Sequence, residues 1–257
     1  MKRDKWCVYL SCAALLTTLA GCGKKGALLY PDMLVPAAVS GQTAIQSGAT
    51  VHLSFGVPDK DLAGRSLREL AGIKVFKRSE AVAVMQPCME CRDDYRLFRT
   101  LYLDLPDSFH RYGDRIVIVD NDLSVAGAAS YYAIPFLRDG SEGQGSTPVR
   151  VAHASPPATP SLIAAAEPSE IRLAITSVPP TVGILVGYNL YRAADDEQLP
   201  LVPLNAEPLI ATTYVDSGLE RKRVYRYAVT SVVRLPSGVL VESALSPEVR
   251  SSLKEDD

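Results

Sequence analysis

The sequence predicts an all-β protein built from β-sandwiches. Beyond residue 32, short segments alternate apolar and polar residues and are separated by proline, glycine, aspartate and serine. Alternation of this kind is typical of strands that bury one face. The 3.6-residue periodicity of amphipathic helices is scarce along the same stretch. The length of 257 residues suits one or two domains of ordinary size.

The strand-like segments occur in two similar sets, which indicates a duplication. The first set lies before residue 153 and the second follows it in the same order. Self-similarity at a fixed spacing predicts two copies of one structural unit. The matching segments are 51–55 with 171–175, 72–77 with 187–192 at an offset of 115, and 132–134 with 227–229 at an offset of 95.

Residues 1–21 have the layout of an export signal. Basic residues follow the initiator methionine, residues 6–16 are apolar, and small residues precede Cys22. The apolar stretch is too short to span a bilayer. The segment L-A-G-C at 19–22 resembles a bacterial lipobox, and this implies that Cys22 carries diacylglycerol on its thiol and an acyl chain such as palmitate on its amino group. A plain secretory signal that happens to precede a cysteine is the alternative.

Residues 22–32 form the expected lipidated tether. Their start, C-G-K-K-G-A-L-L-Y-P, is similar to that of small outer-membrane lipoproteins with a C-G-x-K-G-P-L-Y pattern, one of which is associated with assembly of the lipopolysaccharide translocon. Here Ala27 replaces the proline and an extra leucine precedes Tyr30. Gly23, rather than aspartate, follows Cys22, and by resemblance to enterobacterial sorting rules this favours the outer membrane. Two or more acyl chains hold such an anchor stably.

The second copy resembles fibronectin type III domains, which are immunoglobulin-like sandwiches. The resemblance rests on the strand at 171–176, the segment G-Y-N-L-Y-R at 187–192, and Leu219 six residues before Tyr225. It implies that Leu219 packs in the core and that Tyr225 ties the crossing between the sheets. The expected parts are a signal peptide at 1–21, a tether at 22–32, fibronectin type III-like domains in tandem at 33–152 and 153–252, and a disordered acidic tail at 253–257.

In the first copy, the tyrosine corner is not expected. At an offset of 95, Ser130 aligns with Tyr225, and Leu123 lies one position out of register with Leu219. The first sandwich is therefore expected from the repeat alone.

The junction between the copies is rich in proline. Pro156, Pro157 and Pro160 are spaced by alanine, serine and threonine. This composition favours a stiff, extended connector. We expect such a spacer to leave the two domains mechanically independent.

An insertion in the first copy contains the motif C-M-E-C. The offsets of 115 and 95 differ by 20 residues, and Cys88 and Cys91 lie in the extra segment. In an oxidising compartment we expect a structural disulfide between them, worth about 2 kcal/mol. A metal site and a redox-active thiol pair are the alternatives. The c-type haem signature is absent because Arg92 follows the motif.

The chain carries no sequence motif of an enzyme. G-x-S-x-G, H-E-x-x-H and glycine-rich phosphate loops are absent, and neither His52 nor His110 belongs to a catalytic pattern. We therefore expect no catalytic residue, no cofactor and no metal. A formal net charge of -2 argues against a nucleic-acid partner.

These observations predict a membrane-anchored, non-catalytic binding or scaffolding lipoprotein of the bacterial envelope. Its domains would face the periplasm or the cell surface and bind a protein or a glycan. One alternative is an envelope-assembly accessory that acts through its tether. The other is a periplasmic thiol protein that uses Cys88 and Cys91.

Overall fold

The computed structural model describes residues 30–81, 92–105, 108–123 and 127–255. Within these ranges the regular structure is almost all β, with single 3-10 turns at Pro31–Met33 and Arg92–Asp94, and the predicted all-β sandwich fold is confirmed. The strands are β1 (Ser40–Ser47), β2 (Thr50–Gly56), β3 (Leu70–Ala81), β4 (Arg96–Tyr102), β5 (His110–Tyr112), β6 (Arg115–Asp120), β7 (Gly127–Leu137), β8 (Val149–Ala152), β9 (Ser161–Ala166), β10 (Glu170–Thr176), β11 (Ile184–Ala194), β12 (Thr213–Ser217), β13 (Tyr225–Arg234), β14 (Leu240–Glu242) and β15 (Val249–Ser251).

The described strands form three sheets. A four-stranded sheet has the order β4-β3-β7-β8, and a three-stranded sheet has the order β12-β10-β9. The large sheet has the order β11-β13-β14-β1-β2-β6-β5, and β15 also pairs with β13. We call β1 to β8 the first half of the chain and β9 to β15 the second half. The large sheet contains strands from both halves.

Each half has its own hydrophobic cluster, and alternation along the strands fills it. In β2, Val51, Leu53 and Phe55 are at most 1% exposed, and they pack against β3, β6 and β7. In the second half, Ile171 and Leu173 of β10 take the same role against β11 and β13. Full burial of such a side chain contributes roughly 1.5–3 kcal/mol, so burial of these alternating apolar faces stabilises the packing of the sheets within each half.

The two halves share a direct backbone seam. Strand β1 pairs in parallel with β14, with Gln46 opposite Val241 and Ser47 opposite Glu242. The Gly48 N–H donates to the Glu242 carbonyl at 3.0 Å. The expectation of mechanically independent domains is therefore wrong, because the large sheet runs through the junction without a break.

The proline-rich connector is also fastened to the first half. Gln46 is fully buried, and its side-chain amide donates to the Ala154 carbonyl at 2.7 Å and accepts from the Ala154 N–H at 2.9 Å. Further along, the Ser231 hydroxyl donates to the Ala158 carbonyl at 3.1 Å. Each end of the connector is thus bonded to a strand of the sheet that it joins.

A shared polar contact sets the register of the repeat. Tyr131 of β7 donates to Asp120 at 2.6 Å, and Tyr227 of β13 donates to Asp216 at 2.7 Å. Both pairs give an offset of 96, so the predicted offset of 95 is one residue out. At 96, Leu123 aligns with Leu219, and each leucine packs against the core cluster of its own half.

The chain stays ordered beyond the expected end of the second sandwich. Leu253 is 8% exposed and belongs to the second cluster, and the Lys254 N–H donates to the Glu167 carbonyl at 3.1 Å. This corrects the expected tail at 253–257, because one apolar side chain anchors the start of that segment.

Candidate functional site

The residues predicted to carry chemistry, Cys22, Cys88 and Cys91, lie outside the described residues. Within the described ranges, no helix is long and apolar enough to cross a membrane, and no three His, Cys, Asp or Glu side chains cluster as metal ligands. The described strands form a groove on one face of the large sheet.

A groove of about 340 Å³ lies on the face of the large sheet that points away from the two cores. Strands β1, β2, β5 and β6 line it from the first half, and β11, β13 and β14 line it from the second. The irregular segment 201–208 forms a further wall. Both halves are required to build the groove, because the seam between β1 and β14 lies among its lining residues.

Alternation explains which side chains reach the groove. Because Leu53 and Phe55 point into the first core, their neighbours His52 and Ser54 point outward. In β11, Leu190 points into the second core and Tyr191 lines the groove. The same period of two that predicted the cores therefore also places the groove residues.

A hydrogen bond closes the groove at the side opposite the seam. The Tyr112 hydroxyl of β5 accepts from the Leu201 N–H at 2.8 Å. Together with the pairing of β1 and β14, this bond fixes the distance between the two halves at two points. The groove is consequently pre-formed.

The wall segment 201–208 is held by the side chain of Asn205. Its oxygen accepts from the Leu190 N–H at 2.8 Å, and its nitrogen donates to the carbonyls of Tyr188 and Glu207 at 3.1 and 2.8 Å. The Leu204 N–H also donates to the Leu190 carbonyl. These bonds tie the wall to β11 although it has no regular secondary structure.

Glu242 supplies the acidic group of the groove. Its carboxylate accepts from Asn189 Nδ2 at 2.8 Å, from the Thr230 hydroxyl at 3.0 Å and from the Tyr191 hydroxyl at 3.1 Å. Burial raises the pKa of Glu242, and these three donors only partly oppose that effect. No basic side chain pairs with Glu242 among the described residues.

Two basic side chains also line the groove. Burial, with a smaller effect from His110, lowers the pKa of His52, so its imidazole is neutral at pH 7. The Arg115 guanidinium donates to the Ser54 hydroxyl at 2.9 Å and to the Gly41 carbonyl at 3.0 Å. The groove thus holds one carboxylate and one guanidinium, which lie toward opposite ends of β1.

A second cluster of aromatic and cationic side chains covers the outer face of the four-stranded sheet. Phe76 stacks on Tyr132 at 4.9 Å between ring centroids, and Tyr95 meets Tyr132 edge to face. Arg78 lies over Tyr95 and Arg92 lies over Tyr132. Its residues precede and follow, in sequence, the insertion that contains the cysteines. The sequence match at an offset of 95 pairs Tyr132 with the core residue Tyr227, but Tyr132 belongs to this aromatic cluster and not to the first core.

Sequence reasoning did not find the groove. Its lining residues are spread over seven strands and one irregular segment, so they form no local motif. The available signal was Glu242, an acidic residue at the end of the apolar run V-L-V-E. That signal indicates an unusual carboxylate without showing what surrounds it.

Comparison with known proteins gives little further information. No family model and no curated protein matches the chain. Among the solved structures that match, one titled "Myokine structure" is 14% identical, has a TM-score of 0.31, and aligns over 39% of this chain and 100% of its own.

Proposed function

We propose that this protein is a membrane-anchored, non-catalytic binding lipoprotein of the bacterial envelope. Lipid on Cys22 holds it to the outer membrane, and its two fibronectin type III-like sandwiches bind an envelope protein or glycan. The observation that carries the proposal is the pre-formed groove that spans both halves of the large sheet.

The groove has the properties of a recognition site. Ligand sites are concave, mostly apolar and largely pre-formed, and they contain a few polar groups that orient the ligand. Here Val232 and Leu240 are among the apolar lining residues, and Glu242 supplies a carboxylate. A volume of about 340 Å³ accommodates a small molecule or one protruding chemical group of a larger partner.

Photo-crosslinking in living cells tests the site. A benzoylphenylalanine at Val202, which is 39% exposed in the groove wall, is compared with one at Val215, which is 46% exposed on β12 and outside the groove. We expect a discrete adduct from position 202, and its loss when Ala206→Trp fills the groove from its exposed rim. Equal adducts from both positions, or an adduct at 202 that survives Ala206→Trp, would refute the site.

The anchor is tested separately. Mass measurement of the mature N-terminal peptide should find acyl chains on Cys22, and Cys22→Ser should leave a larger, unlipidated precursor. An unmodified Cys22 in the native protein would remove the membrane part of the proposal and leave the groove unaffected.

A further inference from the structure

We infer that the groove recognises a cationic group, an amine or a guanidinium carried on an apolar body, through the carboxylate of Glu242. This inference rests on the proposed function, because it names the ligand chemistry of the same groove.

The bonding of Glu242 leaves room for such a group. A carboxylate offers about four acceptor positions. Asn189, Tyr191 and Thr230 each donate one hydrogen bond to it, and all three donors are neutral. One acceptor position therefore remains, and the negative charge has no counter-charge among the described residues.

Glu242 differs in this respect from the buried aspartates among the described residues. Asp61, Asp120 and Asp216 each have a basic partner, with nitrogen to oxygen distances of 2.7 to 2.8 Å. A partly or fully buried carboxylate without such a partner is costly to keep ionised. A cationic group of a ligand would give Glu242 the positive counter-charge that basic side chains of the protein give to these three aspartates.

The groove does not supply this cation from its own residues. His52 is neutral at pH 7, because burial lowers its pKa. Arg115 is bonded to Gly41 and Ser54, near the start of β1, whereas Glu242 lies beside Ser47 at its end. Ser54 pairs with Thr43 of β1, and the four residue steps from Thr43 to Ser47 separate these places by about 13 Å along the strand.

The rest of the groove fits the apolar body of such a ligand. The side chains of Ile45, Val117, Leu201, Val232 and Leu240 line it. Apolar contacts give affinity, and a charge placed among them gives discrimination, because an ion pair is stronger where water is excluded.

Calorimetry with two matched compounds tests the inference. The full-length protein in phosphatidylcholine nanodiscs, which carry no net charge, is titrated at pH 7.5 with 4-phenylbutylamine and with 4-phenylbutan-1-ol. The compounds share their apolar body and differ in the charged group. We expect the amine to bind at least about ten-fold more tightly, a difference that corresponds to about 1.4 kcal/mol.

Three variants assign the difference to its residue. Glu242→Gln keeps the size of the side chain and removes its charge, and it should bring the affinity for the amine down to that for the alcohol. Glu207→Gln removes an exposed carboxylate of the wall segment whose side chain does not line the groove, and it should leave both affinities unchanged. Ala206→Trp should weaken the binding of both compounds.

The outcomes separate the ligand class from the proposed function. Equal binding of amine and alcohol, weakened in Ala206→Trp, would overturn the cationic specificity and retain the groove as a binding site. An amine preference that persists in Glu242→Gln would overturn the role of this carboxylate. No binding of either compound to the wild-type protein would overturn the inference, and the crosslinking result would then decide the proposed function independently.

Discussion

The buried tyrosine hydroxyls of the repeat make a quantitative prediction possible. Tyr227→Phe removes one hydroxyl, which donates to Asp216 at 2.7 Å from a fully buried side chain. Burial and the bond to Asp216 raise the pKa of Tyr227, so the phenol stays protonated as the donor. Only this hydrogen bond is lost, because the aromatic ring keeps its place in the core.

The expected cost is about 2 kcal/mol of unfolding free energy. A hydrogen bond to a charged group contributes roughly 1.5–3 kcal/mol. Asp216 retains Arg192, whose Nη1 lies 2.7 and 2.9 Å from its two oxygens, so the carboxylate is not left unpaired. With a urea dependence of about 2 kcal/mol per molar, the midpoint of unfolding should fall by about 1 M.

Urea denaturation followed by far-ultraviolet circular dichroism measures this loss. Tyr131→Phe should cost a similar amount, because Tyr131 makes the equivalent bond to Asp120 at 2.6 Å. Tyr214→Phe is the matched control: the structure shows no hydrogen bond from its hydroxyl within the described residues, so the change should stay within about 0.5 kcal/mol. A loss in Tyr227→Phe no greater than in this control would refute the reasoning.

Glu242, Tyr225 and the cysteine pair should each affect stability by a measurable amount. Burial raises the pKa of Glu242 in the folded state, so the wild-type protein loses stability as the pH rises from about 4.3 through that folded pKa. Glu242→Gln should remove this loss, so the stability of the variant relative to wild type, measured by urea unfolding from pH 4 to 8, should increase with pH. Tyr225→Phe removes the hydroxyl that accepts from the Glu220 N–H at 3.0 Å, and it should cost about 1 kcal/mol in the same assay. Cys88→Ser combined with Cys91→Ser should cost about 2 kcal/mol or less, and thiol trapping in cells should find both cysteines oxidised in the wild-type protein.

The strands and cores were predictable because alternation reports burial directly. The segments at 51–55 and 171–175 alternate between apolar and polar residues, and the structure buries their apolar faces. The expected roles of Leu219 and Tyr225 also agree with the structure, since both pack on the second cluster and the Tyr225 hydroxyl bonds to the Glu220 N–H. Leu219 and Tyr225 are only six residues apart, so the sequence alone can show that they belong to one corner of the sandwich.

The register of the repeat was not predictable from hydropathy. Strand β7 is buried on both faces, so Tyr131 and Tyr132 are equally apolar candidates for the core. The contact with Asp120 selects Tyr131, and Tyr132 turns to the aromatic cluster outside. When both faces of a strand are buried, the hydropathy pattern does not show which face points into the core of the sandwich.

The seam and the groove depend on contacts between distant residues. The parallel pairing of β1 with β14 joins residues almost 200 positions apart, and nothing in either short strand specifies the other. Gly48 has a φ of +56°, and a Cβ there would lie 3.2 Å from the Ala244 Cα. Glycine is therefore required at position 48 both for the turn after β1 and for the close approach of the two halves. The sequence indicates the turn but not the close approach.

Amide hydrogen exchange, compared between intact envelopes and the purified full-length protein, tests the central claim that the groove holds the natural partner. In envelopes, the partner should slow exchange in β14 and in the wall segment 201–208, because both line the groove. Exchange in β9, β10 and β12, which lie outside it, should not change. Slower exchange confined to those three strands, with β14 and 201–208 unaffected, would contradict the account.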